Sequence, residues 1–258
     1  MLEPPPTVIE GALKSARHPF VLLLVALPLV SWLWIVVMSR DMYGSMSGAS
    51  AWMMTPTWDF PHLLLLWAMW AVMMAGMMLP SASSLVLVYG VAARRSGSPT
   101  AAWQIYALGA GYLAVWCMFS VAATALQRGL TGLLLLSPMM EPATPILGAV
   151  LLIVAGVYQM TPLKLACLRG CQSPFGFLMS RWRTGVSGAF HIGFEHGIYC
   201  VGCCGALMLL LFAGGVMNLA VIASLTALIA FEKMAPWGRV GPYVSGGLLV
   251  LIGAWMIA

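Results

Sequence analysis

The sequence has 258 residues, of which 62% are hydrophobic and 7% charged, and its mean hydropathy is +0.96. A soluble domain of this length carries about a quarter charged residues, so the composition excludes a soluble enzyme, a nucleic-acid-binding domain and a disordered linker. The net charge of +5 reads as basic loops on one side of a membrane.

Seven apolar stretches approach the about 20 residues that a helix needs to cross a bilayer: 20–38, 62–82, 101–125, 144–163, 187–212, 215–233 and 240–258. The predicted fold class is therefore all-α, a polytopic membrane helix bundle of about seven transmembrane helices. A segment 1–19 precedes a single transmembrane domain over 20–258, with no second domain, long linker or internal repeat. The first stretch has a basic flank (Lys14, Arg17), but its apolar run is too long for a cleaved leader, so it is a span.

The connection 39–61 contains RDMYGSMSGASAWMMTPTWDFP. Met38, Met42 and Met46 are spaced by four, Met53-Met54 follow, and Asp59 and His62 stand at the mouth of the second span. That span carries MWAVMMAGMMLP, in which Met69, Met73 and Met77 again recur every four residues, with Met74 and Met78 beside them. Thioethers are neutral, so they sit in lipid without a desolvation penalty and still bind Cu(I). They also fill irregular helix interfaces. Met139, Met140 and Glu141 lie between the third and fourth spans, on the same side as His62.

After the fourth span comes TPLKLACLRGC, which places Cys167 and Cys171 four apart. The basic connection 164–186 adds Phe175, Phe177, Leu178 and Trp182, a mixture suited to the headgroup surface as well as to an ordinary basic loop. The fifth span opens on HIGFEHGIYCVGCC, residues 191–204, with two His, one Glu and three Cys. Ionisable groups inside a span cost several kcal/mol unless paired or bound. At about 100° per residue, His196, Cys200 and Cys203 fall within about 60° of one another, with Cys204 at the edge of that face and His191 and Glu195 on a different one. Imidazole and thiolates so placed can ligate a soft metal, with other spans completing the site. Gly214-Gly215 separates this span from the sixth, which ends in Glu232-Lys233.

With the N-terminus inside, ten Lys and Arg fall on the cytoplasmic side, and Arg40 and Arg128 on the other. The chain reads as a bacterial inner-membrane protein with a cytoplasmic N-terminus.

The segments YQMTPLKLACLRGCQSPFGFL, GAFHIGFEHGIYCVGCCGALMLLLFAGGVMNL and FEKMAPWGR, with the earlier AVMMAGMMLP, resemble the DUF2182 family of predicted metal-binding integral membrane proteins over about residues 60–258. The resemblance implies a helical membrane protein with a metal site. It carries His191, Glu195, His196, Cys200, Cys203, Cys204, Cys167 and Cys171 as candidate positions, and departs where Gly205 follows the Cys pair in place of a bulky aromatic.

Copper handling ranks first among the functions: acquisition, translocation or delivery to a membrane copper enzyme. Its candidate ligands are these eight residues with Met73, Met77 and His62, where Met73 or Met77 completes the shell begun by His196, Cys200 and Cys203. Iron or zinc are the alternative metals. A membrane metalloenzyme, thiol–disulfide exchange through Cys200 and Cys203, and a structural subunit of a larger complex are the competing readings. The expected partners are lipid, a metal ion and other membrane or periplasmic subunits, with no nucleic acid.

Overall fold

A computed structural model describes residues 17–44, 49–55, 58–137, 139–234 and 238–258; Lys14, Met46 and most of the segment 1–19 lie outside the described residues. The fold is all-helical. Twelve helices are used below: α1 (His18–Met42), α2 (Ala49–Met53), α3 (Phe60–Met78), α4 (Ser83–Arg95), α5 (Ala101–Gly132), α6 (Pro145–Gln159), α7 (Pro162–Gln172), α8 (Pro174–Arg181), α9 (Gly185–Met208), α10 (Leu211–Gly214), α11 (Leu219–Met234) and α12 (Val240–Ile257).

Five of these are long and apolar enough to cross a membrane: α1, α3, α5, the run Gly185–Gly214 containing α9 and α10, and α12. A sixth span arises if α6 and α7, bent by 67°, are taken together. The stretch expected as the sixth of seven spans forms α11, whose 16 residues rise about 24 Å, short of a full hydrocarbon core of about 30 Å. Leu29, Leu33, Ile146, Val154 and Leu251 are among many large apolar side chains turned outward, which fits lipid as the surrounding solvent. This is an integral membrane protein.

Local chemistry explains the irregularities. The ring of Pro28 clashes with the carbonyl four residues back, and α1 relieves this by widening to a π-helical turn at Leu22–Ala26. Thr161 accepts from the Lys164 amide and Pro162 takes the first position of α7, so one residue pair ends α6 and starts α7 in a new direction. Gly215, at φ +91°, makes the predicted break after α10.

Small residues set the helix packing. A Cβ on Gly193 would lie 1.9 Å from the Leu108 carbonyl oxygen, and one on Gly197 would lie 2.9 Å from the Val115 Cβ. This Gly-x-x-x-Gly pair therefore brings α9 onto the backbone of α5, the close contact that association in lipid depends on. Gly156 and Gly246 bring α6 and α12 together in the same way. On the other flank α1 meets α3, where the Trp32 indole donates to the Gly76 carbonyl at 3.2 Å. The methionine stripe of α3 faces inward: Met69, Met73, Met74, Met77 and Met78 are all fully buried.

Candidate metal centre

The residues that do not belong in lipid converge where α3, α5, α7, α9 and α11 meet. Cys200, Cys203 and Cys204 are buried on α9, with their three sulfurs within 4.8 Å of one another. Spacings of three and four residues produce this, because both steps return to one helix face. Two neighbours extend the sulfur set. The Met78 Sδ, from the last turn of α3, lies 3.8 Å from the Cys204 Sγ. The Cys171 Sγ, from α7, lies 3.7 Å from the Cys203 Sγ, and the Cys200 and Cys204 sulfurs are also 3.7 Å apart.

These separations suit a metal. With a metal–thiolate bond of about 2.3 Å, sulfurs of a tetrahedral site stand about 3.8 Å apart and those of a trigonal site about 4.0 Å. The three α9 sulfurs, all within 4.8 Å of one another, are close enough to share one ion. No carboxylate takes part in the group, so among the described residues the donor set is soft throughout.

Two polar groups from other helices approach Cys200: the Lys233 ammonium as a donor, and the Tyr112 hydroxyl, whose proton is directed at the Met78 carbonyl. The Lys233 Nζ, from α11, lies 2.9 Å from its Sγ and 2.8 Å from the Ser81 hydroxyl. The Tyr112 hydroxyl lies 3.0 Å from the same sulfur and 3.1 Å from the Met78 carbonyl. A buried ammonium needs an anion, and the adjacent carboxylate is already engaged: Glu232 pairs with Lys164 at 2.6 Å and accepts from Gln159 and Ser245. The Cys200 sulfur is the group beside Lys233 that is able to carry that charge. Neither lysine's role follows from helical periodicity in α9, since the partners come from other helices.

The other sequence candidates are distributed as follows. His196 is buried one turn before Cys200, edge-on to the Phe177 ring, with an unpartnered Nδ1. Cys167 is half-buried with its Sγ in the notch left by Gly202. Glu195 lies apart from the cysteines, bound by Arg181 at 2.7 Å and Arg183 at 3.0 Å. His191 is exposed, with its Nδ1 3.0 Å from the Ser187 carbonyl. Met73 and Met77 are buried in the same core, but Met78 is the methionine whose sulfur touches a cysteine. His62 lies at the far end of α3, where Asp59 caps the helix by accepting from the His62 amide. Beside Gly205, the Phe119 ring occupies part of the space that a bulky residue there would claim.

Residues 67–256 match the family model described as PpoB2, copper chaperone. The match covers well over half of the chain. The protein belongs to the PpoB2 copper chaperone family. No curated protein and no solved structure matches it. In this PpoB2 family member the matched region contains the whole sulfur cluster and its lysine, whereas His62 and the methionines of 39–61 precede it.

Proposed function

We propose that the protein carries Cu(I) as cargo at Cys200, Cys203 and Cys204, with Met78 and Cys171 as the adjoining donors, and delivers it to a membrane or periplasmic copper protein. The observation that carries this reading is the all-sulfur neighbourhood at 3.7–3.8 Å spacing on three different helices. Thiolate and thioether together favour Cu(I) over Zn(II) or Fe(II), because the thioether is a soft, neutral, weak ligand. Two thiolates on Cu(I) leave one negative charge, which the Lys233 ammonium offsets. His196, one turn away, can supply an imidazole as the ion arrives or leaves. Cys171, and beyond it Cys167, lead toward the basic end of the bundle. His191 and Glu195 act around this site by position and not as ligands.

The excess of Lys and Arg at that end supports a cytoplasmic N-terminus in a bacterial inner membrane. The DUF2182 resemblance and the copper chaperone family describe one and the same lineage in this reading.

The test is elemental mass spectrometry of purified protein from copper-supplied cells. The native chain should hold copper in stoichiometric amount, and Cys200→Ser with Cys203→Ser should hold at least one equivalent less. Equal copper in the double variant, or iron in its place, would overturn the proposal.

A further inference from the structure

A second group of soft donors stands at the opposite end of α3. Residues of α2, of the head of α3 and of the loop after α5 enclose a pocket of about 160 Å³ that is lined by Met53, Met54, His62 and Met140. Sixteen residues separate His62 from Met78, so this pocket lies about 24 Å along α3 from the cysteine cluster. Met53, His62 and Met140 are each at least 97% buried.

The histidine is set up as a ligand. Its Nε2 lies 3.2 Å from the Met53 carbonyl oxygen. A carbonyl accepts and cannot donate, so the proton sits on Nε2 and the lone pair on Nδ1. That Nδ1 is buried and has no hydrogen-bond partner. A ring nitrogen fixed by a backbone carbonyl, with the other left open, is the arrangement that metal-ligating histidines show. Trp52 and Trp58 pack around the imidazole, with ring centroids at 6.4 and 5.3 Å, and keep water from it. Among the described residues the pocket lining contains no carboxylate. Hard cations such as calcium and magnesium need anionic oxygens, so the donor set of one imidazole and up to three thioethers suits a soft monovalent ion.

We propose that His62, Met53, Met54 and Met140 form a second Cu(I) site that accepts the ion before it reaches the cysteines. This rests on the reading of the chain as a Cu(I) carrier and deepens it. All its donors are neutral, so it holds the ion more weakly than thiolates do. The affinity difference then favours movement from the His62 pocket toward the cluster. The buried methionines of α3, Met69, Met73 and Met77, lie between the two sites.

The experiment is anaerobic Cu(I) titration of the full chain in detergent against a chromophoric Cu(I) chelator, with X-ray absorption on the loaded samples. Wild type should take two equivalents, one tight and one weaker. A Cys200→Ser, Cys203→Ser, Cys204→Ser variant should keep the weaker equivalent, with a shell of one nitrogen and two or three sulfurs. The combination of Met53→Leu, Met54→Leu and Met140→Leu preserves volume, and in an otherwise native chain it should lose the weaker equivalent and keep the tight one. A single equivalent in wild type, abolished by the cysteine changes and untouched by the methionine changes, overturns this second site and leaves the cluster reading standing. A tight equivalent that survives the cysteine changes overturns the cluster reading instead.

Discussion

Replacing Lys233 by Met separates the electrostatic part of copper binding from the ligands themselves. The ammonium lies 2.9 Å from the Cys200 Sγ and is nearly enclosed, so its charge acts on a bound ion with little screening. A bis-thiolate Cu(I) unit carries one negative charge, spread over atoms about 4 Å from Nζ; at an effective dielectric of about 20 one such pair contributes about 4 kcal/mol. Since about 1.4 kcal/mol is a factor of ten, that sets a ceiling of about 1,000-fold, and relaxation of the site brings the expected loss to about 100–1,000-fold. Met matches the lysine stem in length, and without the ammonium Cys200 rests as a neutral thiol at pH 7, so no unpaired charge is left in the apo protein and stability should change little. The assay is chelator competition for Cu(I) at one fixed pH, with thermal unfolding run in parallel. An unchanged Cu(I) affinity in a folded Lys233→Met variant would refute the charge-compensation argument and move the function of the ammonium to helix packing.

The remaining expectations are separable from that one. Lys164→Met leaves Glu232 as an unpaired buried carboxylate, and should cost about 3–5 kcal/mol of stability, read as a lowered unfolding midpoint. Met78→Leu should change folding by less than about 1.5 kcal/mol but weaken Cu(I) binding; the Met73→Leu, Met77→Leu pair measured beside it shows whether those thioethers join the shell. Gly193→Ala inserts a methyl 1.9 Å from the Leu108 carbonyl oxygen, about 1.3 Å too close for van der Waals contact. It should destabilise the bundle by about 1–3 kcal/mol or more through overpacking, visible in thermal unfolding. Tyr43 is pushed up to about 12 by burial and by its hydrogen bond to Glu141. Its neutral form is favoured in the fold, so its contribution is complete below pH 10 and is lost as pH rises toward 12. Phenolate absorbance against pH should show one tyrosine titrating earlier in a Glu141→Gln variant than in the native chain.

Much of the site was legible in the spacing of α9. The 196-200-203 stripe follows from helical geometry alone, and Cys204 joins it because three- and four-residue steps share a face. Burial of the methionines on α3 was legible for the same reason. What periodicity could not supply was the choice among Met73, Met77 and Met78, since that depends on where the last turn of α3 crosses α9. Lys233 and Tyr112 reach Cys200 from helices remote in sequence, and no one-helix pattern encodes such a contact. Glu195 illustrates the converse: within α9 it reads as a ligand beside His191, but Arg181 and Arg183, on the far side of a turn, take both of its oxygens. The Gly193–Gly197 pair, passed over among the candidate ligands around it, finds its partner helix only in the structure, and it explains why α5 supplies the Tyr112 hydroxyl. The expectation of a span over 215–233 rested on apolarity, whereas α11 ends early in charged residues that are used inside the bundle.

The glycine seam between α5 and α9 also fixes which wall of the site can yield. With backbone against backbone at Gly193 and Gly111, and Gly197 closed on the short Val115 side chain, those two helices have little between them that can rotate and behave as one stiff plate. The α7 wall is different: it meets α9 through the Cys171 and Cys203 sulfurs and through Cys167 in the Gly202 notch, all of them able to rotate. The α7 wall is therefore the one that side-chain rotation alone can open around the cluster.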